Sequence, residues 1–316
     1  MKTKEPLKNN TLTVVDVGAS GGIHSRWSNL NLDVRSILFE PDTEAFEKLS
    51  LIKNENSLLI NAALSDGPKR VEFNVCEWQE VSSIYKPNFD LINKYHDPER
   101  FVIKETLLMQ ADSLNNLLHK AKVKEIDFMK IDTQGSELDI LKGSSNYLDG
   151  LIGLEVEVEF VELYEKQPLF SEVHEFIEPY GFSLIDIKKT FWKRSIQDGG
   201  SRKGKLIFGD VLYLKEPEQV FKINRLDKEK IIRSIYIYLA YGYLDLAAEL
   251  LKLASEKNLF SKDLNHQIDS LIKSYNKEYP LPNFKGKGRI KNLLHYIANI
   301  FSDISFSSGS DEKLGN

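Results

Sequence analysis

The chain has 316 residues, 41% of them hydrophobic, enough to build one large domain or two smaller ones around a sizeable core. Its net charge of −5 argues against a general nucleic-acid binder, a class that is usually basic. Cys76 is the only cysteine, which excludes an intramolecular disulfide, and no Cys/His cluster offers a zinc site.

The first predicted element is a strand over Leu12–Val17, carrying Asp16 at its end and followed by the small-residue turn Gly18-Ala19-Ser20-Gly21-Gly22. A second strand, Ser36–Glu40, ends in another acid about twenty residues after the turn, the layout that opens a nucleotide-binding α/β sheet. The details argue against a dinucleotide. The second glycine position is Ser20, and the carboxylate of Asp16 at the turn would repel a diphosphate. It suits a positively charged ligand; S-adenosylmethionine carries an ammonium, a sulfonium and a ribose, and no phosphate. An ordinary strand–turn–helix and other nucleotides are the alternatives.

Further strands are predicted over Ser57–Asn61, Ile126–Asp132 and Leu151–Phe160, with helical patterns between them, as at Glu44, Phe46, Leu49 and Ile52. Such alternation predicts a mostly parallel sheet covered on both faces, with ligands at the carboxyl ends of its strands. Asp16, Glu40, Asp132 and either Glu155 or Glu157 lie near such ends. Arg70–Val75 and Phe101–Met109 read as an inserted hairpin around a turn-rich piece containing Ser82, Ser83, Pro87 and Pro98. Phe182–Ile187 and Lys205–Lys215 would close the sheet with an antiparallel pair. A cofactor-type turn, five strands and a final hairpin is the order of a class I methyltransferase, a Rossmann-like α/β fold with a seven-stranded, mostly parallel sheet.

After Pro217 the pattern turns helical. Asp227 to Lys257 is predicted helical throughout, with an apolar stripe through Ile231, Ile235, Tyr238, Leu239, Tyr243, Leu246 and Leu250. Tyr238 to Leu251 resembles a helix–turn–helix repeat unit, but no second copy follows at a fixed period. A helical appendix docked on the catalytic domain is expected rather than a free peptide-binding module. The expected division is a methyltransferase domain over 1–217, a helical appendix over 218–304 and a disordered tail over 305–316.

The run Asp127-Phe128-Met129-Lys130-Ile131-Asp132-Thr133-Gln134-Gly135-Ser136-Glu137-Leu138-Asp139-Ile140-Leu141-Lys142-Gly143 is highly distinctive. Together with Asp16-Val17-Gly18, Phe39-Glu40-Pro41, Asn61-Ala62-Ala63-Leu64-Ser65, Leu154-Glu155-Val156-Glu157-Val158, Glu162-Leu163-Tyr164 and Gly209-Asp210-Val211-Leu212-Tyr213, it resembles the FkbM-type methyltransferases. The resemblance covers roughly residues 11 to 215. It implies S-adenosylmethionine-dependent O-methylation, often of sugars in glycans or natural products, and does not identify the acceptor. One departure is Met109-Gln110-Ala111-Asp112, where family members often have Thr-Leu before the Asp; Asp112 still matches.

The residues take these expected roles. Asp16 fixes the cofactor turn or contacts the methionine end, Ser20 donates to the carboxylate, and Gly18 and Gly22 let the cofactor approach where a side chain would collide with it. Glu40 holds the ribose; Asn61 and Ala62 follow the third strand, where the adenine lies in this architecture. Asp132 binds the methionine ammonium or orients the acceptor, directly or through a metal. Glu137 is a site acid or simply a carboxylate favoured in the first turn of a helix. Glu155, Glu157 and Glu159 share one face of the fifth strand, and acids in a central strand are costly unless paired. Asp132, Glu137 and Glu155 are therefore the candidate catalytic acids, and as a set they could hold Mg²⁺ through oxygen ligands. His24 and His174 are more often structural than catalytic residues at such positions, and no general base is named.

Lys188, Lys189, Lys193, Arg194, Arg202, Lys203 and Lys205 crowd the link between the last two strands, with Phe191 and Trp192 among them. Trp192, Lys193, Arg194 and Arg202 are candidate acceptor-binding residues for an anionic saccharide or other anionic hydroxyl compound; a solvated loop is the alternative. Lys285 to Phe301 reads as a basic amphipathic helix, docked on the body or lying on an anionic membrane. Met1 to Asn10 lack an apolar signal region, and no run reaches the ~18 apolar residues of a membrane span. A cytoplasmic protein, peripheral to a membrane if that helix binds one, is expected. A non-sugar hydroxyl acceptor, or a catalytically silent adaptor that keeps the fold, are the competing functions.

Overall fold

The computed structural model describes residues 10–19, 22–30, 32–52, 55–196, 204–223 and 227–275, with 288–290, 293, 294, 297, 307–309 and 314 beyond them. Strands β1 (Leu12–Val17), β2 (Val34–Phe39), β3 (Ser57–Ile60), β7 (Phe128–Ile131) and β8 (Gly153–Glu159) pair in parallel in the order β3-β2-β1-β7-β8. Strand β10 (Lys205–Leu214) runs antiparallel between β8 and β9 (Ser183–Trp192). These seven strands form the mostly parallel sheet with an antiparallel final pair that the sequence predicts. An eighth, β11 (Ser307–Gly309), pairs with the edge of β9. Within the segment from residue 305, Ser307–Gly309 satisfies the open edge of β9 and Leu314 is buried; the rest of that segment lies outside the described residues.

The inserted hairpin is present and larger than expected. Strands β5 (Lys69–Cys76) and β6 (Ile103–Ser113) are antiparallel, and β4 (Ala63–Ser65) joins β6 in parallel to make a second, three-stranded sheet. The final hairpin also differs. β9 continues past Ile187 to Trp192, so Lys188, Lys189, Phe191 and Trp192 lie on a strand rather than in a loop. Cross-strand pairing with β10 carries it on, and Lys188 meets Asp210 of β10 at 3.3 Å.

Side-chain alternation divides the main sheet between two cores. Val15 and Val17 of β1, Met129 and Ile131 of β7 and Leu154, Val156 and Val158 of β8 face one core, shared with helices α4 (Leu114–Lys120), α5 (Glu137–Lys142) and α7 (Phe170–Ile177). Leu12 and Val14, Phe128, and Leu212 and Leu214 face the other. That second core is filled by α9 (Lys228–Ala240), α10 (Leu244–Glu256) and α11 (Lys262–Tyr275). The helical stretch predicted over Asp227–Lys257 is two helices, broken at Tyr241–Tyr243, where Gly242 has φ +80°, inside the segment Tyr238–Leu251 that reads as a helix–turn–helix unit.

Helix α9 is buried on nearly every side, with Ile231, Ile235, Tyr238 and Leu239 all within the core. Burying such side chains favours docking by roughly 1.5–3 kcal/mol each, an upper estimate. The helix also carries cations into the interior. Lys230 Nζ lies 2.7 Å and Arg233 Nε 2.9 Å from Asp127 Oδ1, while Asp127 Oδ2 accepts from the Thr13 amide at 2.8 Å. Asp227 caps the helix by accepting from the Lys230 amide. Ile290, Leu293, Leu294 and Ile297, from the predicted amphipathic segment, are exposed. Among the described residues no helix is long and apolar enough to cross a membrane.

Asp127→Ala would leave two buried cations without their shared carboxylate. The expected loss is about 3–5 kcal/mol of unfolding free energy, measured by urea denaturation. Lys273→Ala, which breaks an exposed pair with Asp269, should leave the midpoint close to wild type.

Candidate active site

A cleft of about 720 Å³ lies over the carboxyl ends of the strands. It extends from Gly18, Glu40 and Ala62, which follow β1, β2 and the β3 end of the sheet, past Asp132 and Glu157 of β7 and β8, to Trp192 and Phe208 of β9 and β10. The link between β5 and β6 forms its remaining wall through Gln79, Val81, Ser82, Arg100 and Phe101. This wall is tied to the main sheet. Gln79 Nε2 donates to Asp42 Oδ1 at 3.0 Å, and Ser83 Oγ donates to the Gln134 carbonyl at 2.6 Å.

At the β1–β3 half, Glu40 is buried and its Oε1 accepts from the Asp42 amide at 2.9 Å. Burial raises its carboxyl to about 7, against the lowering effect of that amide. Asp16 is not itself a wall of the cleft. It is buried within reach of the charges of Lys130, Asp132, Glu155 and Glu40, and burial raises it to about 7 although Lys130 opposes the shift. Its Oδ1 is buried with no hydrogen-bond partner, an arrangement that calls for a donor. These two acids fit a ligand with an ammonium and ribose hydroxyls. Asn61 is not a wall of the cleft and braces the turn after β2, donating to the carbonyls of Glu40 and Pro41 at 2.9 and 3.2 Å; Ala62 is a wall. Ser20 lies outside the described residues.

The glycines act differently from expectation. Gly18 has φ +82°, and a Cβ there would stand 2.0 Å from the Asp132 carbonyl oxygen. Gly18 is therefore needed for the contact between the ends of β1 and β7, before any ligand is considered. Gly22 has φ +74°, and a Cβ there would make only ordinary contacts, with Leu49 and Ile52 at 3.8 and 3.9 Å.

The central acids separate into distinct environments. Lys130 Nζ binds Asp132 Oδ2 at 3.0 Å. Burial would raise Asp132, but the Lys130 ammonium and hydrogen bonds from Glu157 and Gln134 outweigh it and hold the carboxyl below its usual value. Glu157, also bonded to Gln134 Nε2, is pushed well above the ordinary range by burial and by the neighbouring Asp132 charge. Glu159 is raised in the same way by burial and by Glu137 and Asp132. The opposed shifts of two carboxyl groups in contact favour a shared proton that rests on Glu157 rather than Asp132.

Glu137 and Glu155 do not join them. Glu137 accepts from the Thr133 amide at 2.8 Å, the Thr133 hydroxyl at 2.9 Å and the Gly135 amide at 2.9 Å, so its carboxylate shapes the turn after β7. Glu155 accepts from Tyr241 Oη at 2.6 Å and pairs with Arg26 at 3.5 Å, which compensates its burial. Neither forms a wall of the cleft. The expected Mg²⁺ set of Asp132, Glu137 and Glu155 is corrected on this ground: two of its three acids are engaged elsewhere by donors of the protein. Among the described residues no group of three or more His, Cys, Asp or Glu could hold a metal ion. His24 caps the short helix α1 (Ser25–Ser28), and His174 stacks between Phe170 and Tyr213.

At the β9 half, Trp192 reaches the cleft but is largely enclosed, with Tyr95, Phe101 and Phe208 against it. Arg100 lies 4.5 Å from its ring centroid, so one ring face expected to stack on a sugar is taken by a guanidinium. Lys193 and Arg194 are not walls of the cleft, and Arg194 pairs through its backbone with Tyr95. Arg202 lies outside the described residues. Sequence reasoning passed over Glu157 in favour of Glu155, though both share the acidic stripe. It also passed over Gln134 inside the quoted motif, and Arg100, a lone arginine with no local signal.

Gly18→Ala should unfold or severely destabilise the protein, because backbone must move to relieve the clash with Asp132. Gly22→Ala should cost only about 1–2 kcal/mol, the strain of a left-handed alanine. Denaturant midpoints of the two variants measure the contrast; equal losses would contradict the packing role of Gly18.

Comparison with known proteins bears on this site. A model of the methyltransferase FkbM domain matches residues 16–184. No curated protein matches the chain. Among solved structures, the Methanococcus jannaschii fibrillarin pre-rRNA processing protein is 13% identical, with a TM-score of 0.34 over 67% of this chain and 70% of that one. The Methanobacterium thermoautotrophicum precorrin 8w decarboxylase is 14% identical, with a TM-score of 0.33 over 67% and 84%. M. capricolum TrmK, solved with S-adenosyl-homocysteine, is 10% identical, with a TM-score of 0.31 over 86% and 92%. Likenesses this distant carry no conclusion about chemistry. The family match spans more than half of the sequence, the Asp132 motif included, and the chain belongs to the methyltransferase FkbM family.

Proposed function

We propose that this protein binds S-adenosylmethionine over β1–β3 and methylates a hydroxyl group of a saccharide or glycosylated metabolite, one that carries an anionic group. The observation that carries the reading is the pairing of Asp16, with its unpartnered oxygen, and Glu40, whose carboxyl borders the cleft. Asp16 would take the ammonium and Glu40 the ribose hydroxyls, with Gly18 and Ala62 as walls.

When bound, S-adenosylmethionine supplies a methyl group on a positively charged sulfur, which becomes a thioether as the methyl passes to the acceptor oxygen. Asp132 would hold the acceptor hydroxyl and receive its proton, since it is the ionised member of the central pair and stands between the two halves of the cleft. Lys130 keeps Asp132 charged. Glu157 and Gln134 fix its orientation through hydrogen bonds. Glu137 acts one step removed, by shaping the turn that carries Thr133 and Gln134, and Glu155 anchors Arg26 and Tyr241 behind the cleft.

Calorimetry with S-adenosylhomocysteine tests the cofactor. Glu40→Ala should weaken binding about ten- to a hundredfold by removing charge-assisted hydrogen bonds. Because burial raises both Asp16 and Glu40 to about 7, and both hold ligand donors as carboxylates, affinity should rise between about pH 6 and pH 8. The rise should be shallower in Glu40→Gln. Absence of binding by the wild-type protein would reject the reading.

Turnover, followed as transfer of labelled methyl to a glycan panel, tests the acids. Asp132→Asn should lower it by about 10²–10⁴ with cofactor affinity retained. Glu157→Gln mimics the protonated acid and should keep most activity. The reverse ranking would make Glu157 the proton acceptor.

A further inference from the structure

The β9 half of the cleft contains a cation that the reaction as described does not use. Arg100 closes a short 3-10 turn, Pro98–Phe101, in the link between β5 and β6. Its guanidinium is held between aromatic rings, 4.5 Å from the centroid of Trp192 and 5.0 Å from that of Phe101. Burial outweighs the nearby charges of Asp97 and Glu99 and lowers its pKa. Neither acid pairs with it, and Nε is buried without a hydrogen-bond partner. A guanidinium normally meets a carboxylate, phosphate or carbonyl, and a buried N–H such as this Nε is costly to leave unmet.

The surroundings point to where the partner comes from. Arg100 is a wall of the cleft, together with Phe73, Leu163, Trp192 and Phe208. These residues are apolar, so they exclude water without competing for the guanidinium. The acidic side chains of the cleft are Glu40, Asp42, Glu80, Asp132 and Glu157; Glu80 shares the β5–β6 link with Arg100 but is not among the charges acting on it, and Trp192 under Arg100 ends β9. The order of strands in the sheet separates the half assigned to the cofactor from the half containing Arg100, with Asp132 between them.

We propose that Arg100 is an acceptor-binding residue that recognises an oxyanion, a carboxylate or a phosphate, carried by the saccharide whose hydroxyl is presented to Asp132. This rests on the methyltransferase reading of the cleft and adds the substrate class. It also moves the anion contact from the basic residues after β9 to a residue inside the cleft. The planar fork accepts two oxygens at once, and the flanking rings keep it in place, so the oxyanion sets the register of the sugar relative to Asp132.

The test titrates the protein, saturated with S-adenosylhomocysteine, with D-glucuronate, D-glucose 6-phosphate and D-glucose, followed by ligand-observed NMR. One or both anionic sugars should bind about tenfold or more tightly than glucose, and which one does so separates carboxylate from phosphate. Arg100→Gln should remove that preference, and Arg100→Lys, which keeps the charge but loses the fork, should restore only part of it. S-adenosylhomocysteine affinity and the melting temperature report whether the variants remain folded. Lys193→Gln with Arg194→Gln serves as the comparison and should leave the preference in place. Failure of wild-type protein to bind S-adenosylhomocysteine would overturn the methyltransferase reading itself. Normal cofactor binding with no preference for the anionic sugars, or a preference that survives in Arg100→Gln, would overturn the role of Arg100 alone.

Discussion

The structure depends on one change of polarity along one face of the main sheet. On that face β1 runs Leu12, Val14, Asp16; β7 runs Phe128, Lys130 and on to Asp132; β8 carries Glu155 and Glu157. The first half of each row is greasy or small, and the second half is ionisable. The Lys130 ammonium stands among the carboxylates of Asp16, Asp132 and Glu155, and their charges raise its pKa despite its burial. Without that cation the acids at the strand ends would repel one another in a poorly solvated space. Packing with helices is possible over the apolar half, and chemistry over the ionisable half.

The additions to the fold follow from this division. Helices α9 to α11 cover the apolar half, and their contribution stops where the charges begin: Tyr241, at the end of α9, meets Glu155. The inserted hairpin builds the opposite rim of the cleft and is secured by Gln79 on Asp42 and Ser83 on Gln134. Both additions therefore reach neighbours of Asp132: Glu155, whose charge also acts on Lys130, and Gln134, which donates to Asp132. Tyr164 adds a further brace, its hydroxyl contacting Gln134 Oε1 at 2.9 Å and the Val81 carbonyl at 3.0 Å.

Much of the sheet was legible because its signals are local. β1 occupies the predicted Leu12–Val17, and the acids at the ends of β1, β2 and β7 stand where apolar runs stop. The extension of β9 was hidden, since Lys188 and Lys189 look like loop residues until Asp210 is known to face Lys188. Gly18 was read as room for a ligand because nothing in a sequence shows that the Asp132 carbonyl approaches it. The same limit applies to the acids. Period-two alternation places Glu155 and Glu157 on one face, but only tertiary contacts give Arg26 and Tyr241 to the first and Asp132 and Gln134 to the second. Arg100 lies far along the chain from Trp192, and no motif announces their contact.

The docking of α9 has a consequence for the order in which the protein is made. The seven methyltransferase strands are complete at Leu214, yet the face bearing Leu12, Val14, Phe128 and Leu212 has only Trp27, Leu30, Leu32 and Val220 over it until α9 to α11 have left the ribosome. Until then Asp127 also lacks Lys230 and Arg233, and Glu155 lacks Tyr241. A nascent chain paused before Lys228 therefore presents a half-covered oily sheet surface, with Asp127 beside it lacking both of its cations. Apolar surface left open in this way is the kind that makes incomplete chains prone to aggregate, so the last helices finish the fold of the strands that precede them.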